Sequence, residues 1–134
     1  MSVNAGNECR FCLQGERGAI LKNELALVKR DRFPLTEGHT LIVPRRHVQS
    51  FFELTADEHA AMCDLIVQAK AHIEQDQKPD GYNIGINDGT AAGQTIMHVH
   101  VHLIPRYLGD TADPRGGIRW IIPERRDYWK KTAL

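Results

Sequence analysis

Neither sign of charge dominates this chain. Lys and Arg number 17, Asp and Glu 17, and the formal net charge over 134 residues is zero. A long polyanion has no broad positive field to meet, so bulk nucleic-acid binding is excluded as a first reading. A small phosphorylated ligand needs only local positive charge. Long apolar runs are missing too: none approaches the ~20 residues that cross a bilayer. Only Met1 to Cys9 precede the first motif, with no charged-then-apolar leader pattern. A cytoplasmic protein with no membrane partner is expected. Cysteine is scarce, at three. In a reducing cytoplasm Cys9, Cys12 and Cys63 favour a metal role over a disulfide. Repeats and low-complexity tracts are absent, and the length suffices for one core but not two. One domain over 1–134 is therefore expected.

What is present reads mainly as strands. Glu24 to Lys29 and His39 to Val43 are β-branched and apolar, separated by a loop holding Pro34 and Gly38. Thr55-Ala-Asp-Glu58 has capping-box spacing and predicts a helix start. Ala60, Cys63, Ile66, Val67, Lys70 and Ile73 then recur near helical spacing, predicting an amphipathic helix to about Gln77, with Cys63 in the core. Tyr82 to Asn87 alternates as a strand, Asp88 to Gly93 is a glycine-bounded loop, and Ile96 to Ile104 is the strongest strand. Ile118 to Ile122 reads as a possible last strand. The spacing lacks repeated βαβ units, so the expected class is α+β, an antiparallel sheet with one long helix and short helices packed against it.

His98, His100 and His102 alternate with Val99, Val101 and Leu103. Strand side chains alternate faces, so the three imidazoles share one face, neighbours roughly 6 to 7 Å apart, with the apolar set toward the core. A solvated face, a three-histidine zinc site and phosphate chemistry are the alternatives. Zinc suffers because three such positions span too far to meet one ion at about 2.0 Å. Imidazole is a good nucleophile near neutral pH, and its cation a good phosphate partner. Just upstream, Gln94 and Thr95 bring donors suited to phosphate oxygens, after a glycine that permits close backbone approach.

The stretch Asn87-Asp-Gly-Thr-Ala-Ala-Gly-Gln-Thr-Ile-Met-His-Val-His-Val-His-Leu-Ile-Pro-Arg106 resembles the signature of the histidine triad (HIT) family: three histidines alternating with apolar residues, preceded by Gly-Gln. Gly38-His-Thr-Leu-Ile-Val-Pro-Arg-Arg-His47, Gly81-Tyr-Asn-Ile-Gly-Ile-Asn87 and the N-terminal Cys9-Arg-Phe-Cys12 extend the likeness over about 9–106. The tail, 107–134, is similar to that of a bacterial branch.

The resemblance implies a nucleotide-binding hydrolase or nucleotidyl transferase acting at an α-phosphate through a nucleotidyl-histidine intermediate. Dinucleoside polyphosphates or nucleoside phosphoramidates are the implied substrates. It assigns His100 as nucleophile, with His98, His102 and His39 completing the catalytic cluster. It gives Asp31 to the ribose hydroxyls, and Asn87, Gln94 and Thr95 to phosphate or leaving group. Asp31 also reads as a loop cap. A nucleotide sensor with little turnover is the alternative, but pure binding needs no nucleophile. Cys9, Cys12, His47 and His98 resemble the structural zinc set of some members. A redox Cys-x-x-Cys expects a βαβ context that is missing here. Many relatives pair two-fold, so a homodimer is expected.

Overall fold

The computed structural model describes residues 8–130. Residues 1–7 and 131–134, the ends of the single domain expected over 1–134, lie outside the described residues. Along the chain come α1 (Arg10–Gln14), β1 (Leu21–Lys22), β2 (Ala26–Arg30), β3 (Thr40–Pro44), α2 (Ala56–Ile73), β4 (Gly81–Gly85) and β5 (Val101–Arg106), with single 3-10 turns between and after them. The five strands form one sheet in the order β1-β2-β3-β5-β4, every neighbouring pair antiparallel. The expected α+β class is what forms.

β2 and β3 read as continuous apolar runs because both sheet faces are covered at the centre. On one face Ala26, Val28, Ile42, Val101 and Leu103 meet Met62, Leu65, Ala69 and Ile73 of α2. On the other, Leu27, Leu41 and Val43 meet Cys9 and Phe11 of the N-terminal segment. Thr55 caps α2 through the full reciprocal box with Glu58. The buried stripe of α2 is Glu58, Met62, Leu65, Ala69 and Ile73. Cys63 is exposed, and Val67 is 70% exposed. The predicted helix face is thus out of phase with the true one. The cause is Glu58, a charged residue that opens the buried stripe because Arg46 and the cap satisfy its carboxylate.

Two further expectations fail. Ile118 to Ile122 is no strand: Gly117–Ile121 forms a 3-10 turn against β4. The last strand starts at Val101, not Ile96. Continuing the β3–β5 register past Ile42↔Val101 would bring Val99 opposite Pro44, which has no N–H to give. Val99 instead donates to the Val48 carbonyl at 2.7 Å.

Candidate active site

His102 alone stands on β5 proper, while His98, in a bend, and His100 precede it outside the strand. The alternation nevertheless holds: Val99, Val101 and Leu103 are buried on the α2 face, and the imidazoles lie opposite. His100 Nδ1 is 2.9 Å from the His98 carbonyl oxygen. A carbonyl only accepts, so Nδ1 carries the proton and Nε2 keeps its lone pair. The Phe11 ring stands edge-on to the His98 and His100 rings at 5.5 and 5.4 Å, and His100 and His102 rings are 5.1 Å apart.

His39 lies at the mouth of β3 and Asp31 just after β2, joined by the Asp31 N–H to His39 carbonyl bond at 3.0 Å. The backbone N–H of Leu35 donates to His39 Nδ1 at 3.0 Å. Neutral His39 therefore holds its proton on Nε2, which lies 2.9 Å from His102 Nδ1. His102 Nδ1 must accept, and neutral His102 carries its own proton on Nε2. Burial pushes the His102 pKa down to about 4 and that of His39 downward, so both rings are neutral near pH 7. Asp31 Oδ2 sits 3.4 Å from His39 Nε2 and 3.9 Å from His102 Nδ1. Its Oδ1 accepts from the Phe33 N–H at 2.7 Å, a loop cap.

The loop before the triad is closed by Gln94. Its Oε1 accepts from the Gly89 N–H at 2.8 Å, and Nε2 donates to the carbonyls of Gln49 and Ile96 at 2.9 and 3.1 Å. In this conformation the buried side chain braces the loop. Gly93 turns the chain with φ 93°, a conformation L side chains rarely adopt. Thr95 is exposed. Asn87 borders a cavity of about 860 Å³ that also reaches Asp31, His39 and His102, closed at its far side by Ile118 and Trp120 of the C-terminal turn. That volume suits a nucleoside-sized ligand. In sequence Trp120 reads equally as a packing or surface residue, because only the folding back of the tail brings it there.

The four sulfur and nitrogen donors also converge. Ligand atoms of Cys9, Cys12, His47 and His98 lie within 4.8 Å of one another. His98 Nδ1 is 3.4 Å from Cys9 Sγ and 3.6 Å from Cys12 Sγ, and Cys12 Sγ is 3.3 Å from His47 Nδ1. Tetrahedral zinc with bonds of about 2.3 Å to sulfur and 2.0 Å to nitrogen has S···N edges of about 3.5 Å, so the set fits. His98 Nε2 donates to the Pro44 carbonyl at 2.8 Å, which leaves Nδ1 unprotonated toward the sulfurs.

The HIT domain family matches residues 14–109. An uncharacterised HIT-like protein of Methanocaldococcus jannaschii is 43% identical over 108 residues, 76% of this chain and 81% of that one. An adenylylsulfatase of Arabidopsis thaliana is 36% identical, matching 75% of this chain but 53% of its own length. The crystal structure of a zinc-bound histidine triad family protein from Mycobacterium smegmatis superposes with a TM-score of 0.69 at 37% identity, covering 79% of this chain and 80% of that one.

Proposed function

The chain belongs to the HIT domain family, and on that premise we propose that it is a nucleotide-binding hydrolase or nucleotidyl transferase working through a nucleotidyl-His100 intermediate. The observation that carries this reading is the His100 Nδ1 contact to the His98 carbonyl, which holds the ring with Nε2 bare. Nε2 attacks the α-phosphorus. A P–N bond forms, the bond from phosphorus to the leaving group breaks, and the leaving group departs with the electron pair and gains a proton. Water or another hydroxyl acceptor then attacks phosphorus and releases a proton to solvent, the P–N bond breaks, and its electron pair returns to Nε2.

His102 enters as a donor from Nε2 to a phosphate oxygen. His102 stays neutral, with Nδ1 accepting from His39, so the leaving group takes its proton from water. Asp31 Oδ2 is the acceptor offered to ribose hydroxyls, and Asn87 and Thr95 offer donors to phosphate. Gln94 can join them only by releasing a carbonyl it now holds. Substrates of this reading are dinucleoside polyphosphates or nucleoside phosphoramidates.

Cys9, Cys12, His47 and His98 would hold a zinc ion as four protein ligands. Bound there, the metal supplies a structural tie between the N-terminal segment and the triad, with no open position for water. The His98 imidazole is then unavailable as an acid, while its carbonyl still orients His100. The reading further includes a cytoplasmic homodimer.

The test is turnover of diadenosine polyphosphates, adenosine phosphoramidate and nucleotidyl sugars by wild type and His100→Ala. The variant is expected to lose turnover yet bind mononucleotide, because binding uses several donors and attack uses one nitrogen. Near wild-type turnover by His100→Ala overturns the mechanism.

A further inference from the structure

β4 ends at Gly85 and β5 begins at Val101, and the stretch between them carries Asn87, Gln94, Thr95, His98 and His100. Its support comes from the end of β3 and the chain that follows, residues 44–51. The Pro44 carbonyl accepts from His98 Nε2 at 2.8 Å, the Val48 carbonyl from the Val99 N–H at 2.7 Å, and the Gln49 carbonyl from Gln94 Nε2 at 2.9 Å. In each case 44–51 supplies the acceptor. A fourth contact runs the other way. Asp88 Oδ2 accepts from the Phe51 N–H at 2.7 Å and from the Ser50 hydroxyl at 3.1 Å.

The anchor that Asp88 grips is itself held. Ser50 caps the 3-10 turn Phe51–Glu53, its Oγ accepting from the Phe52 N–H. The Phe51 carbonyl accepts from His59 Nε2 at 2.8 Å, and the Phe51 and His59 rings lie 4.5 Å apart. His59 belongs to α2, so Asp88 ties the loop to the long helix. On the loop side, the Gly89 N–H donates to Gln94 Oε1 at 2.8 Å, and the Gly89 carbonyl accepts from the Gln94 N–H at 3.1 Å. Asp88 and Gln94 thus staple one turn from its two ends.

Asn87 adjoins the first staple and Thr95 the second, and both are exposed. An exposed side chain takes its place from the backbone that carries it, so the staples decide where these two donors stand. The choice of a carboxylate for the first staple is costly. A negative charge one residue from Asn87 repels a phosphorylated ligand. What it gives in return is the strength of hydrogen bonds to an ionised acceptor, made here to two neutral donors.

We infer that Asp88 is a positioning residue: by holding Phe51 and Ser50 it sets where the Asn87 amide stands toward the phosphate. The inference deepens the His100 reading and rests on it. Asp88 touches no reacting atom, and it acts through the backbone it shares with Asn87.

Steady-state turnover of adenosine phosphoramidate by the full chain, together with calorimetric titration of AMP, tests this role. Asp88→Ala should lower kcat about 10- to 100-fold, the cost of a donor displaced by about 1 Å. AMP affinity should stay within about threefold, because mononucleotide binding is spread over several donors while kcat reads the transition state. Asp88→Asn keeps an oxygen for the same two donors and should restore kcat to within about threefold of wild type. Hydrogen exchange locates the effect: the Phe51 and Gly89 amides should exchange faster in Asp88→Ala, with the amides of α2 and β3 unchanged. A cap that served stability alone would lower the melting temperature and leave the kcat of folded protein intact. If Asp88→Ala fails to fold, Ser50→Ala decides, since it removes one of the two donors and should lower kcat about threefold or more. Wild-type kcat in folded Asp88→Ala, or in Ser50→Ala where that variant is needed, overturns the inference. So does an Asp88→Asn protein as slow as Asp88→Ala. Turnover that persists in His100→Ala removes the nucleophile and not Asp88, whose kcat loss and exchange pattern are read against wild type.

Discussion

Replacing His39 by leucine should change the proton on His102, a residue it touches, and through it the chemistry. In the wild type, Leu35 N–H fixes His39 Nδ1 as acceptor, and His39 Nε2–H donates to His102 Nδ1 at 2.9 Å. Leucine removes both contacts. Leu35 is 75% exposed, so water can take over its N–H. His102 Nδ1 is then left facing the Asp31 carboxylate, 3.9 Å away. The ring gains by placing its proton there, and Nε2 loses the hydrogen it offers to phosphate. One net hydrogen bond is lost, costing about 1 to 2 kcal/mol in urea titration. A missing donor to a charged phosphate is worth about 1.5 to 3 kcal/mol, or about 10- to 150-fold in kcat/KM. His39→Gln keeps an N–H near the former Nε2 and should stay within a few-fold of wild type. Long-range ¹H–¹⁵N spectra read the tautomer directly: Nε2–H on His102 in wild type and His39→Gln, Nδ1–H in His39→Leu. If His102 keeps its Nε2 proton in His39→Leu and turnover is unchanged, the tautomer chain does not operate.

Other outcomes follow from the same geometry. Protein purified without chelator should carry about one zinc per chain by elemental analysis, and Cys9→Ser should lose both the metal and several degrees of thermal stability; full metal content in that variant would refute the ligand set. Neutral His102 and His39 resist protonation in the fold, whereas the unfolded chain takes protons near pH 6.5, so stability is fully present above that pH and is lost as pH falls toward about 4, where His102 titrates. His102 faces His100, His39 and Asp31, and with 22% of its side chain exposed its share is about 1 to 2 kcal/mol; His102→Gln should flatten the difference between urea titrations at pH 7 and pH 5 by that amount. Light scattering should give twice the 15.2 kDa chain mass at micromolar concentration; the monomer mass would refute the dimer.

Much of the fold is legible because its signals are local. Thr55 and Glu58 sit three apart, and the cap they predict is the cap that forms. The alternation of Val99, Val101 and Leu103 with histidines survives even where the ladder does not, since burial against α2 fixes side-chain direction without needing a strand partner. Failures appear where a residue's partner is distant in sequence. Glu58 joins the buried stripe only because Arg46 meets its carboxylate, at 2.8 and 3.1 Å, and a periodicity count that treats charge as exposure slips off the true helix face.

The same distinction separates the two kinds of site information. Residue types at fixed spacing mark the triad, because three imidazoles at alternate positions point one way whatever surrounds them. Their protonation is not written in that spacing. It is set by a chain of contacts from Leu35 to His39 to His102, and by the His98 carbonyl against His100. A basic cavity between α1 and β2 is a stronger case. Arg10, Lys29 and Arg32 look like ordinary surface charge in a chain whose charges balance. Only the antiparallel pairing of β2 with β3, and the folding of α1 over that sheet face, gathers them beside Phe11 without an acid among them. A net charge of zero denies the chain a broad positive field, and it says nothing about a local cluster.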